Sequence, residues 1–179
     1  MAVGILARPR GAPPYCCLVA LVFHPAMNIL RAQPLHAADL HTLLDEYFEA
    51  LAVVKRDTPA DIARSLADPA DATWLAYVDG VPAGCVALRQ LALSGAPAGA
   101  ALECKRLYAR PAYRGQGISA ALLDAMEAHA HGAGATWIYL DSKDDLKSAL
   151  RIYAQRGYLA CERYNDNPQA TVFMRKRVG

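Results

Sequence analysis

Apolar residues recur at helical spacing at Leu40, Leu43, Leu44, Tyr47, Phe48 and Leu51, which predicts one amphipathic helix after a short strand over residues 28–32. A polar break at 55–58 follows. Pro59 suits the first turn of a second, short helix over 59–67. Residues 73–78 and 81–91 flank Asp79-Gly80, a two-residue turn signal, and predict an antiparallel hairpin. The small residues of 94–101 read as a loop, and 102–109 as a strand. The third helix, over 119–131, places Ile118, Ala121, Leu122, Ala125 and Met126 on one face and Asp124, Glu127 and His131 on the other. It closes at Gly132 and Gly134. A strand over 136–140 ends at Asp141 and leads into a fourth helix, with Asp144 or Asp145 as its N-cap. Leu146, Ala149, Leu150 and Tyr153 form its inner face, and Gly157 stops it. Residues 158–161 and 171–177 read as closing strands around Tyr164-Asn165-Asp166-Asn167-Pro168, which is turn chemistry or the wall of a pocket or dimer edge.

The first 26 residues stand outside this pattern. Arg8, Arg10 and the apolar run from Cys16 to Phe23 imitate a signal peptide, but Pro13 and Pro14 interrupt it and no small-x-small cleavage site follows. The reading is a dispensable N-terminal extension over 1–26, with Met27 opening a folded domain over 27–179.

Composition narrows the partners. At 179 residues, 54% hydrophobic and 20% charged, the chain is long enough for one globular domain with a real core. Its net charge of +2 and dispersed basic residues mark neither a nucleic-acid surface nor a membrane surface. The five cysteines are odd in number and lack a C-x-x-C pair, so reduced thiols in the cytoplasm are expected, with neither zinc nor a disulfide framework. His129 and His131 point different ways on a helix, which makes them poor metal partners.

The chemistry gathers where the 102–109 strand meets the third helix. Gly115 and Gly117 let the backbone turn tightly just before the helix begins, so the free N–H groups of Gly115, Gln116, Gly117, Ile118 and Ser119 face one anion at the positive end of a helix dipole. No Walker lysine follows Gly117. The preceding Arg110-Pro111, without an early strand-helix-strand unit, also argues against a dinucleotide fingerprint. Upstream, Glu103, Lys105 and Arg106 lie inside an otherwise apolar segment, and unpaired burial there is costly. They are paired, exposed at a splayed edge, or functional.

Arg114-Gly115-Gln116-Gly117-Ile118-Ser119 resembles the Arg/Gln-x-x-Gly-x-Gly/Ala signature of the GNAT superfamily, the acyl-CoA-dependent N-acetyltransferases, with Ser119 replacing the usual Gly or Ala. A serine there is small enough for close approach and is a candidate phosphate donor or helix cap. The segment Ala149-x-x-x-Tyr153-x-x-x-Gly157-Tyr158 resembles the family's second diagnostic stretch, and Glu103-x-Lys105-Arg106-Leu107-Tyr108 with the late Asn167-Pro168 resembles a bacterial subgroup of unassigned substrate.

The resemblance implies an α/β fold: a twisted, mostly antiparallel mixed sheet with helices on both faces and two central parallel strands, 102–109 and 136–141, that splay apart. Acetyl-CoA would lie in that gap as co-substrate, its pyrophosphate on residues 115–119 and its pantetheine amides against the backbone of Leu107 and Ala109. Arg110 and Arg114 are candidate phosphate partners or solvated surface residues.

The implied function is direct acetyl transfer to a primary amine of a small molecule through a tetrahedral intermediate. The N–H of Leu107 or Tyr108 would polarise the thioester, and Glu103 would act as base, directly or through water. An in-sheet ion pair with Lys105 is the other reading of Glu103. Tyr153 would act as acid for the departing thiolate; a free phenol titrates about 1.5 units above a free thiol, so full transfer is uphill by about 2 kcal/mol and a hydrogen bond to the sulfur would supply part of the effect. Alternatives are a non-catalytic acyl-CoA sensor and a protein or peptide N-acetyltransferase. A homodimer stays open.

Overall fold

In the computed structural model, residues 26–93 and 99–179 are described. Residues 1–25, which hold nearly all of the expected extension, and part of the 94–101 loop lie outside the described residues. Ala26, assigned by sequence to the extension, is already tied to the domain: its N–H donates to Asp79 Oδ1 and its carbonyl accepts from the Asp79 N–H.

The described residues form a seven-stranded sheet in the order β1-β2-β3-β4-β5-β7-β6. The strands are β1 (Met27–Arg31), β2 (Ala72–Val78), β3 (Val81–Gln90), β4 (Ala101–Ala109), β5 (Trp137–Ser142), β6 (Leu159–Ala160) and β7 (Val172–Arg177). All neighbours are antiparallel except β4 and β5. Helices α1 (Ala37–Ala50) and α2 (Pro59–Ala67) join β1 to β2, α3 (Ile118–Gly132) joins β4 to β5, and α4 (Lys147–Gln155) joins β5 to β6.

Strand alternation sends side chains to two cores. On one face Trp74, Ala76, Val86, Leu88, Leu102, Cys104, Ile138 and Leu140 pack with Leu122, Leu123 and Met126 of α3 and Tyr153 of α4. On the other, Leu75, Cys85 and Tyr108 pack with Leu40, Leu43, Leu44 and Phe48 of α1 and Ile62 of α2. Both faces of the sheet therefore carry helices. The expected helical face of 118–126 lies buried at Ile118, Leu122 and Met126, with Asp124 exposed opposite.

Local chemistry accounts for the element ends. Thr58 caps α2 through the Asp61 N–H while Asp61 reaches back to the Thr58 N–H, a capping box with Pro59 just inside. These contacts, Thr58 first, hold the Asp61 carboxyl down to about 2. Asp79 and Gly80 both take positive φ, +50° and +79°, as the β2–β3 hairpin turn demands. Three expectations are corrected. Helix α4 starts at Lys147 with Leu146 as N-cap, because the Thr171 hydroxyl engages the Asp144 side chain and neither Asp144 nor Asp145 caps the helix. The closing strand over 158–161 shrinks to Leu159–Ala160, since Tyr158 turns into the core against Tyr153. Ser119 is no cap: Gly117 stands at the N-cap position and Ser119 lies inside the first turn.

Candidate functional site

β4 and β5 pair only from Ala101 with Trp137 to Cys104 with Leu140. Beyond Cys104 the two strands part. The gap opens on a cleft of about 660 Å³ lined by Tyr47 and Leu51 at the end of α1, by Glu103 to Leu107 on β4, by Asp141 to Lys143, by Ala149 and Tyr153 of α4, and by residues 165–170.

β4 is irregular at the gap. Cys85 faces Tyr108 and Ala87 faces Lys105, so β4 holds one residue more than β3 over this stretch, a bulge with Arg106 at φ +59°. The Cys85 thiol donates to the Arg106 carbonyl at 3.4 Å, and the trans peptide sends the Leu107 N–H the opposite way. The Arg110 N–H donates to the Ala83 carbonyl. Antiparallel alternation then pairs Tyr108 with Cys85 and turns Ala109 towards the gap. Gly84 allows this crossing, because a Cβ there would stand 2.5 Å from the Tyr108 carbonyl oxygen.

At the carboxyl end of β4 the chain turns through Pro111–Tyr113 into α3, and Gly115 and Gly117 take φ of +80° and +82°. Among the described residues, the backbone N–H groups of Gly115, Gln116, Gly117, Ile118 and Ser119 have no intramolecular acceptor. They are a run of free donors at the positive end of a fifteen-residue helix. Arg114 is exposed beside them, its Nε 3.4 Å from the Ala109 carbonyl. Arg110 is engaged elsewhere: its guanidinium holds Glu46 of α1 through contacts of 2.7, 2.8 and 3.1 Å and also donates to the Pro82 carbonyl. It is a strut between β4 and α1, which removes it as a phosphate partner.

Glu103 is buried, and one of its oxygens, Oε1, receives Lys105 Nζ, the Tyr164 hydroxyl and Asn165 Nδ2, each at 3.0 Å. The in-sheet pair with Lys105 is therefore present. Oε2 has no partner among the described residues. Asn165 Nδ2 also donates to Asp141 Oδ2 at 2.9 Å, and Asn167 Nδ2 to the same oxygen at 3.0 Å. The loop that reads as turn chemistry is both: Asn165 and Asn167 accept backbone N–H groups through their carbonyls and turn their amides onto the cleft carboxylates. Burial, with Glu103 next, pushes the Tyr164 hydroxyl far above its ordinary range, so it acts as a fixed donor.

Tyr153 is buried in the α4 core yet lines the cleft, and its hydroxyl has no hydrogen-bond partner among the described residues. Burial raises it well above the ordinary phenol range. Cys104, also in the cleft wall, is pushed up by burial and stays a thiol.

Glu103, Leu107 and Tyr153 thus share one cleft, whereas Tyr108, Ala109, Arg114 and residues 115–119 lie off it, at the end of β4 and the start of α3. Sequence reasoning missed Asp57, Arg89, Asp141 and Lys143. Only Asp141, at the end of an apolar strand, carried a local signal. Among the described residues no cluster of three or more His, Cys, Asp or Glu has a metal-site arrangement, and no helix is long and apolar enough to cross a membrane. His129 packs edge-on against Trp74.

Comparison with known proteins gives a consistent picture. The Acetyltransferase (GNAT) family matches residues 37–158. An uncharacterized N-acetyltransferase of Schizosaccharomyces pombe is 34% identical over 97 residues, 54% of this chain; the chain spans only about half of that relative, 56% of its length. The fold is shared with an acetyltransferase of the GNAT family from Staphylococcus aureus Mu50 (TM-score 0.72, 18% identity, 86% of this chain and 100% of that one). It is shared equally with the PaiA N-acetyltransferase of Thermoplasma acidophilum, solved in complex with coenzyme A (TM-score 0.69, 15% identity, 85% and 99%).

Proposed function

Because this chain belongs to the Acetyltransferase (GNAT) family, we propose that it moves an acetyl group from acetyl-CoA to a primary amine of a small molecule. One observation carries the reading. The N–H cradle before α3 follows closely in the chain on the half of β4 that β5 leaves unpaired, and that half of β4 lines a cleft that holds both a carboxylate and a free phenol.

The residues fit the co-substrate. The N–H groups of Gly115 to Ser119 would hold its pyrophosphate, with Arg114 at the rim, and the gap-facing backbone of Leu107 and Ala109 would pair with its pantetheine amides. Acetyl-CoA supplies an acyl group activated as a thioester. Leu107, whose N–H points away from Cys85, is better placed than the ladder-bonded Tyr108 to stabilise negative charge developing on the thioester oxygen.

Transfer forms the nitrogen–acyl carbon bond and breaks the carbon–sulfur bond. Glu103 Oε2, its sister oxygen saturated, takes the ammonium proton directly or through water and passes it to solvent, and the second proton of the acylated nitrogen leaves by the same route as the tetrahedral intermediate collapses. The hydroxyl of Tyr153, free of any partner among the described residues, would face the departing thiolate. Its raised pKa makes complete proton transfer more uphill than a free phenol would, so Tyr153 stabilises the sulfur by a hydrogen bond, and solvent supplies the proton.

The test is CoA release by the full chain across amino acids, polyamines, aminoglycosides, arylamines and short peptides, with acetyl-CoA binding measured separately. Release with a small amine, and the matching acetylated product by mass, supports the proposal. Binding without release from any acceptor supports a non-catalytic sensor instead, and release with peptides alone supports a peptide acetyltransferase.

A further inference from the structure

The sheet face bounding the cleft carries a row of charges whose hydrogen bonding is incomplete. Arg89 on β3 stands directly across from Glu103 on β4, and Lys105 follows two residues along the same face. Arg89 lines the cleft and also a second pocket of about 300 Å³ beside it, between α2 and the ends of β2 and β3.

Its guanidinium makes no hydrogen bond among the described residues, and its Nε is buried without an acceptor. The nearest carboxylates stand off at 3.7 Å (Asp71) and 3.8 Å (Asp57). Both are already engaged, Asp71 by the Ser65 hydroxyl at 2.7 Å and Asp57 by Arg106 at 3.0 and 3.1 Å. Arg89 is thus held in place by charge, while the two Nη groups of its planar fork keep donors for another oxygen pair. Across the row, Glu103 and Asp141 each present one carboxylate oxygen without a partner among the described residues. Lys143, whose Nζ donates to the Leu51 carbonyl, adds positive charge to the same cleft wall.

A molecule completing this wall needs an anionic fork at one end and a cationic nitrogen at the other. We propose that the acceptor is an amino-acid-like small molecule, a primary amine bearing a carboxylate, with the carboxylate held by Arg89 and the amine delivered to Glu103. This inference rests on the acetyl-transfer reading above. A simple polyamine would leave Arg89 without an acceptor, and a simple acid would leave the free oxygens of Glu103 and Asp141 without a donor.

Matched acceptors test it: β-alanine against propylamine, γ-aminobutyrate against butylamine and lysine against cadaverine, in CoA release by the full chain with acetyl-CoA binding measured beside it. At least one carboxylated member is expected to have a kcat/KM on the order of 10-fold to 100-fold above its partner, carried by KM. Arg89→Met is expected to bring that ratio towards one without raising the KM for acetyl-CoA, and Arg89→Lys, which keeps the charge but loses the fork, to restore part of it. Cooperative thermal unfolding of each variant shows that it is folded. Carboxylate-free amines used as well as their partners would overturn the inference and leave acetyl transfer standing, as would an Arg89→Met variant that preserves the ratio. Acetyl-CoA binding with no release from any amine would overturn the acetyl-transfer reading, and this inference with it.

Discussion

Arg106 donates two hydrogen bonds to the Asp57 carboxylate, 3.0 and 3.1 Å long, from a backbone held at φ +59°. A side-chain-bearing residue in that region costs about 1–2 kcal/mol, and the bidentate pair, with the guanidinium packed over the Phe48 and Tyr47 rings, offsets it. Because Arg106 is the bulged residue, this pair also fixes the direction of the Leu107 N–H. Asp57→Ala should therefore lower stability by about 3 kcal/mol, leaving a mostly buried guanidinium without its main partner, and should lower kcat beyond any change in acetyl-CoA affinity. Urea unfolding and steady-state kinetics check it; unchanged stability would show that the bulge holds itself.

Gly117 is the N-cap of α3 at φ +82°, and an added Cβ would meet no atom within 4 Å. Gly117→Ala should cost about 1 kcal/mol through backbone strain alone and weaken acetyl-CoA binding by displacing the donor set. Gly80, at φ +79° in the remote hairpin and equally open, is the matched control. Gly80→Ala should carry the same strain with no loss of affinity by calorimetry.

Glu127 on α3 ties the C-terminal part of the fold together, bonded by Arg156 at 3.0 Å and by Lys176 of β7 at 2.7 Å. Burial pushes its carboxyl up, but Arg156 and Lys176 outweigh it and hold it below the ordinary range. The folded state therefore binds this proton less readily than the unfolded one, whose carboxyl titrates near about 4.3. The contribution is complete above that pH and disappears as pH falls through the lower folded value. Glu127→Gln should lower the melting temperature at pH 7 and shrink the acid-induced drop between about pH 5 and 3. A parallel downward shift at every pH would contradict the assignment.

What the sequence shows and what it hides divide by chain separation. The Asp79-Gly80 hairpin, the Pro59 start of α2 and the Gly115 and Gly117 turn depend on neighbours a few residues away, and they are legible because local backbone geometry demands those residue types. Glu103 was legible as a charge inside an apolar strand, but its surroundings were not: Tyr164 and Asn165 reach it from 61 and 62 residues away. The same holds for Arg110, a candidate phosphate partner by position, which Glu46 claims from 64 residues away. Asp57 sits in an ordinary polar break and Arg89 near the end of an ordinary strand; only the folded sheet brings them to the cleft. The N-cap of α4 misled for a related reason, because Asp144 is engaged by Thr171 from across the fold.

The most direct measurement is a comparison of wild type with Tyr153→Phe in acetyl-CoA-dependent CoA release with the best small amine. The account predicts a kcat lower by on the order of 10-fold to 100-fold, the worth of one hydrogen bond to a developing thiolate, with an unchanged KM for acetyl-CoA and cooperative unfolding intact. An unchanged kcat would contradict it and leave Tyr153 as a core aromatic with no part in the transfer.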